Sequence, residues 1–260
     1  MGMVANYPLV KCKFKAAGVH LFISSIIFCI LAYLIAFKWY PFPYFTADGG
    51  WQGIRIVALI DIVLGPLLTL VIFNPRKTRH EIRFDLGIIA LAQISVLTWG
   101  VYTVYNERPA AVIHWSGEFY TMPSKSFKAQ NISIEKLNQF SEETPPLIHV
   151  NLPADPVKLQ EILNIVNEKK LAPFEQFQLY HSFKENKDEI FFHQINIDEI
   201  ISFNKDMKKE LRNFLEKTKS NKDDYIYLPL NARYHNVILI FSKEGAIRGA
   251  LNAPYKIGSV

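Results

Sequence analysis

Residues 54–73, IRIVALIDIVLGPLLTLVIF, decide how this chain is read. As an α-helix, those twenty residues rise about 30 Å, the thickness of a bilayer's hydrocarbon core. The run holds one cation near its start, Arg55, and one acid, Asp61. Comparable runs lie at 16–37 and 86–105, separated from it by short connectors. A soluble core helix can be this apolar, but three in succession predict a three-helix transmembrane bundle embedded in the lipid bilayer.

Charge follows the same division. Up to Tyr105 there are nine Lys/Arg and four Asp/Glu; beyond it there are twenty of each, so 9 − 4 = +5 is the whole net charge. The polar half is electrically neutral overall, which argues against a nucleic-acid partner. Lys11, Lys13 and Lys15 precede the first run, and Arg76, Lys77, Arg79 and Arg83 lie between the second and third. The opposite connector offers only Lys38 and Arg55. Cations are retained on the cytoplasmic side, so this imbalance predicts residues 1–15 inside and everything after Tyr105 outside. Trp39, Tyr40, Phe42, Tyr44, Phe45 and Trp51 crowd the outer side, where amphipathic rings prefer to sit. Lys38-Trp39-Tyr40-Pro41 is no small-residue cleavage site, so the first run reads as a retained anchor.

Polar groups within the spans are unfavourable and therefore informative. Asp61 is expected to hydrogen-bond with Tyr33 or Thr98 at similar depth, or with another membrane protein. Gln93 and Thr69 are expected to bond to each other. Gly65-Pro66 should free the carbonyl of Ile62 and kink the second span near Asp61, leaving backbone that a partner helix can approach. His20, about one turn from the cytoplasmic face, is placed too far from Asp61 for an acid–base dyad.

Residues 106–260 predict one α+β domain outside the membrane, with an antiparallel sheet. A hairpin is expected at 111–122 around Ser116-Gly117, a short helix at 132–140, and a strand at 147–151. Asp155-Pro156 opens a helix with an apolar stripe, and a second helix spans 205–217. Strands follow at 225–230, 235–242 and 246–251.

Catalytic patterns are missing from this half. There is no G-x-S-x-G, H-E-x-x-H, G-x-x-x-x-G-K-[ST] or G-x-G-x-x-G. His114, His149, His181, His193 and His235 are scattered along the chain, and both cysteines, Cys12 and Cys29, lie in the membrane half. The chain therefore reads as non-enzymatic, with no cofactor and no metal. A membrane-anchored sensor or enzyme with a periplasmic domain stays as the alternative.

The second and third spans carry a longer pattern. ALIDIVLGPLLTLVIFNPRK at 58–77 and RFDLGIIALAQISVLTWGVYTVYNERPA at 83–110 resemble the TfpX/TfpZ family of type IV pilin accessory proteins. The run D-x-V-L-G-P-L-L-T-L, then F-N-P, R-F-D-L, the intramembrane Gln and the closing R-P carries the likeness. The exit Lys38-Trp39-Tyr40-Pro41 fits, as does the late Leu228-Pro229-Leu230. The ending Pro254-Tyr255 departs mildly, the family more often closing with Pro-Trp. The resemblance implies a bacterial inner-membrane protein that helps its cognate type IV pilin accumulate or assemble. It marks Asp61, Gly65, Pro66, Asn74, Pro75, Phe84, Asp85, Gln93, Arg108 and Pro109 as signature or partner-contact positions. Among these, Asn74-Pro75 is expected to end a helix and Asp85 to cap the next.

Overall fold

The computed structural model describes residues 7–253, so Pro254-Tyr255 lies outside the described residues. Among these, three helices are long and apolar enough to cross a membrane: Val10–Trp39, Gly50–Ile72 and Arg79–Glu107. Each outruns its apolar core, because hydropathy marks the hydrocarbon segment while the helix continues into polar flanks. The first is α1 (Tyr7–Tyr33) followed by a π-helical stretch, Leu34–Trp39. After α2 (Tyr44–Ala47), the second span is built from α3 (Gly50–Ala58), a π-helical stretch Leu59–Leu64, and α4 (Gly65–Ile72). Pro66 has no N–H to donate, and its ring crowds the preceding turn. The helix absorbs this by widening, and the Gly65 N–H reaches back five residues to the carbonyl of Ile60. The third span is α5 (Arg79–Glu107).

The chain divides into two units. One holds the chain up to Pro41 and Gly50–Asn106; the other joins Phe42–Gly49 to everything from Glu107 onward. The second unit carries a seven-stranded sheet in the order β4-β3-β1-β2-β5-β6-β7. The strands are β1 (Pro109–Trp115), β2 (Glu118–Pro123), β3 (Leu147–Val150), β4 (Tyr180–Ser182), β5 (Tyr225–Asn231), β6 (Asn236–Ser242) and β7 (Ile247–Ala253). Helices α6 (Ser124–Ala129), α7 (Pro156–Lys169), α8 (Lys187–Phe192), α9 (Ile197–Phe203) and α10 (Lys205–Thr218) fill the connections.

The expected antiparallel sheet needs correction, because this sheet is mixed. β1 pairs with β3, and β2 with β5, in parallel. Parallel neighbours need a crossover of a dozen or more residues. Residues 124–146 provide one before β3, and the helical region ahead of β5 provides the other. Turn signals reveal only antiparallel hairpins, such as β1-β2, where Ser116 and Gly117 both adopt positive φ (52° and 85°).

Alternation along the strands feeds a core on each face. Val112, Phe119, Leu147, Leu228, Leu230, Val237, Leu239 and Phe241 point to one side. On the other side, Ala111, Ile113, Ile148 and Val150 pack with Phe127 and Ile162, while Ile238, Ile240 and Leu251 pack with Met207 and Leu211. Asp155 starts its helix as expected, accepting from the Val157 N–H; Asn204 caps the helix after it, accepting from the N–H groups of Asp206 and Met207.

The segment Phe42–Gly49, read from the sequence as a simple connector, belongs to this domain's core. Tyr44 and Ala47 are buried among Phe119, Leu230 and Val237. The carbonyl of Ala47 accepts the N–H groups of Tyr234 and His235. Asp48 Oδ1 accepts from the Thr121 hydroxyl at 2.6 Å and the Arg233 N–H at 3.1 Å. Burial nonetheless pushes the Asp48 carboxyl up to about 6, the two hydrogen bonds only partly offsetting it. The folded value lies above that of the unfolded chain, so stability is fully present below about pH 4 and is lost as pH rises through 6. Asp48→Asn keeps the accepting oxygen and removes the buried charge. It is expected to stabilise this unit at pH 7.5 by up to about 3 kcal/mol, with the gain vanishing near pH 4. Urea midpoints of the solubilised full chain, followed by pulse proteolysis, check this; a lower midpoint at pH 7.5 would contradict it.

Candidate functional site

The second span places Asp61, Gly65 and Thr69 at i, i+4 and i+8, one above another on a single face. Opposite them on α5 stands Gln93. A Cβ on Gly65 would come within 2.5 Å of both the Gln93 oxygen and nitrogen, so only glycine leaves room for this amide. Gln93 Nε2 donates to Asp61 Oδ1 at 3.0 Å and to the Ser24 hydroxyl at 3.3 Å. Its Oε1 lies 2.7 Å from His20 Nε2, and His20 Nδ1 lies 2.5 Å from the Thr69 hydroxyl. Gln93 Oε1 can only accept, so the His20 Nε2–H donates to it, while the Thr69 hydroxyl has both His20 Nδ1 and, at 3.2 Å, the Gly65 carbonyl within reach. A hydrogen-bonded chain thus links Thr69, His20, Gln93 and Asp61, crossing all three spans.

Several expectations change here. Asp61 meets Gln93 rather than Tyr33 or Thr98, both of which are exposed. Gln93 and Thr69 are bridged by His20 rather than bonded directly. His20 and Asp61 do not touch, yet the long Gln93 side chain links them, a reach that counting helical rise leaves out. His20 signalled its part only as a polar residue in an apolar run.

Asp61 is fully buried, and its Oδ2 has no hydrogen-bond partner among the described residues. It helps line an otherwise mostly apolar groove of about 690 Å³ between α1 and α5. Ile23 and Ile94 lie on its walls and are 52% and 62% exposed.

The other signature positions separate. Pro66 opens α4. Asn74 Oδ1 accepts from the Arg76 N–H in the turn after α4, with Pro75 in between. Phe84 is exposed on α5. Asp85 does not cap α5: Thr78 does, in a reciprocal box with Glu81, while Asp85 pairs with Lys77 at 2.5 Å. Arg108 and Pro109 lie near the start of the long stretch of the second unit, where the Arg108 carbonyl accepts from the Ser124 N–H.

The second unit also gathers histidines that are distant in sequence. His114 on β1 and His149 on β3 are buried, with their Nδ1 atoms 3.0 Å apart. The His193 ring lies 5.9 Å from that of His114. Glu189 Oε1 is 3.7 Å from His149 Nε2. Parallel pairing of β1 with β3 makes this cluster, and hairpin reasoning could not anticipate it. His181 lies on β4. Among the described residues, no group of three or more His, Cys, Asp or Glu is placed to hold a metal ion.

Residues 8–49 match the family described as "Fimbrial assembly protein FimB". The chain is 38% identical over 99 residues to "Fimbrial assembly protein, serogroups C1 and C2" of Dichelobacter nodosus, covering 38% of this chain and 76% of that relative. Identity is also 38% over 99 residues to the proteins named for serogroups E1 and I of the same organism, covering 38% of this chain and 38% of each of them. No solved structure matches the chain significantly. A match spanning three quarters of a curated relative, together with the family match across the first span and the segment after it, decides the assignment: the chain belongs to the fimbrial assembly protein family.

Proposed function

We propose that this protein is a non-enzymatic, multi-pass accessory of the bacterial inner membrane that assists accumulation or assembly of its cognate type IV pilin, in the manner of the TfpX/TfpZ family. It does so by contacting the pilin in the membrane and in the periplasm. The observation that carries the reading is the Asp61–Gln93–His20 chain, a hydrogen-bonding interior set beside an open apolar groove, in a member of a fimbrial assembly family. Polar side chains within spans serve helix–helix recognition, and a chain with spans and a folded outer domain has two surfaces to offer one partner. Deleting the gene should lower pilin level and surface piliation, both restored by a copy in trans. Immunoblots of whole cells and of sheared surface fractions measure this, and unchanged pilin with normal pili would refute the reading.

The orientation in this proposal, N-terminus cytoplasmic and outer domain periplasmic, rests on the Lys/Arg imbalance. Alkaline phosphatase fused after Tyr105 should be active, and fused after Lys77 inactive. The reverse pattern would overturn the topology.

A further inference from the structure

We infer that the groove between α1 and α5 is the seat of a single apolar membrane-spanning helix, that of the pilin, and that a hydrogen-bonding side chain on that helix completes Asp61. This deepens the proposed function and rests on it. The groove is bounded by Ile23 and Ile27 on one side and Ala90 and Ile94 on the other, with Gln93 and Asp61 also lining it.

Two observations select the occupant. The lining is apolar, so the seated surface is apolar as well. Within that lining, Asp61 Oδ2 is buried and unpartnered among the described residues, while Oδ1 is already engaged by Gln93. An unsatisfied carboxyl oxygen in hydrocarbon is strongly unfavourable. A lipid acyl chain filling the groove offers no hydrogen-bonding group at the level of Asp61, which lies well inside the second span. A helix can supply one from a side chain while keeping its own backbone satisfied. The hydrogen-bonded chain from Thr69 through His20 and Gln93 holds the carboxyl in place.

The test uses the full-length protein in native membranes, with p-benzoylphenylalanine introduced at Ile23 or Ile94 in the groove, or at Phe22 or Leu91 on exposed surface that does not line it. After irradiation, antibodies against pilin and against this protein identify the adducts. The expected result is a pilin adduct about tenfold stronger from Ile23 and Ile94 than from Phe22 and Leu91. Asp61→Leu should weaken it about tenfold, the scale of one lost interhelical hydrogen bond, while Asp61→Asn retains it. Should Asp61→Leu lower the amount of this protein itself, Ala90→Phe gives the same reading by filling the groove without touching the polar chain.

Equal pilin adducts from all four positions would overturn the groove as the seat and leave the proposed function standing. A persistent adduct in both Asp61→Leu and Ala90→Phe, or a groove adduct only with a second copy of this chain, would overturn it too. No pilin adduct from any position, together with normal piliation in the deletion strain, would remove both.

Discussion

Gly65→Ala is expected to destabilise the membrane unit by roughly 3–5 kcal/mol, combining overpacking of about 1–3 kcal/mol with loss of interhelical bonds of about 0.6–1.7 kcal/mol each. The added methyl would lie 2.5 Å from the Gln93 oxygen and nitrogen. An exposed amide would simply rotate away. Gln93 cannot do so without releasing Asp61, Ser24 and His20 together. A double-mutant cycle isolates this cause. In a Gln93→Ala background the seat is empty, so Gly65→Ala should cost almost nothing there, whereas a backbone or helix-propensity cause would cost the same in both backgrounds. Unfolding of purified protein in mixed micelles of increasing SDS fraction measures the four stabilities. Equal effects of Gly65→Ala with and without the Gln93 side chain would sink the idea.

The second large effect lies in the unit that carries the sheet. Burial pushes the His114 imidazole down to about 3, with His149 and His193 adding smaller contributions in the same direction. Burial also lowers His149, with His181 and His193 adding to this and Glu189 opposing it. One proton occupies the 3.0 Å gap between the two Nδ1 atoms, and charging His114 would place a cation among Phe119 and its neighbours. Both folded values lie below that of the unfolded chain, so the unfolded state binds more protons in the interval. Stability is therefore fully present above about pH 6.5 and is lost as pH falls towards 3. His114 alone accounts for a loss of about 2 kcal/mol at pH 5 and about 4 kcal/mol at pH 3.

Asp48 acts with the opposite sign between about 6 and 4, so the raw pH curve mixes the two. His114→Leu separates them by removing only the imidazole's titration. Urea midpoints of the solubilised full chain should fall between pH 7 and pH 5 in the parent and fall less steeply in His114→Leu. Parallel slopes would show that these imidazoles are not held neutral by the fold.

Whatever depends on local length, period and punctuation is legible in the order of the residues. Twenty-residue apolar runs meet the bilayer's thickness in only one way, so the three spans were legible from 16–37, 54–73 and 86–105. Ser116-Gly117 specified a hairpin and Asp155-Pro156 a helix start, because turns and caps are chemistry between near neighbours. Asp61 and Gln93 announced themselves as polar groups in hydrocarbon.

Only the tertiary structure decided who meets whom. The stripe of Asp61, Gly65 and Thr69 is visible in the spacing, but the amide seated over Gly65 belongs to another helix twenty-eight residues on. Depth along a helix cannot predict that seat, because it depends on the rotation and approach of the spans. The same holds for the parallel pairing that sets His114 beside His149, and for Phe42–Gly49. That segment reads as an interfacial connector because its aromatic residues suit a membrane surface. Tyr44 and Ala47 are instead core residues of the second unit, since burying apolar area is non-directional and takes whatever segment the fold brings to it.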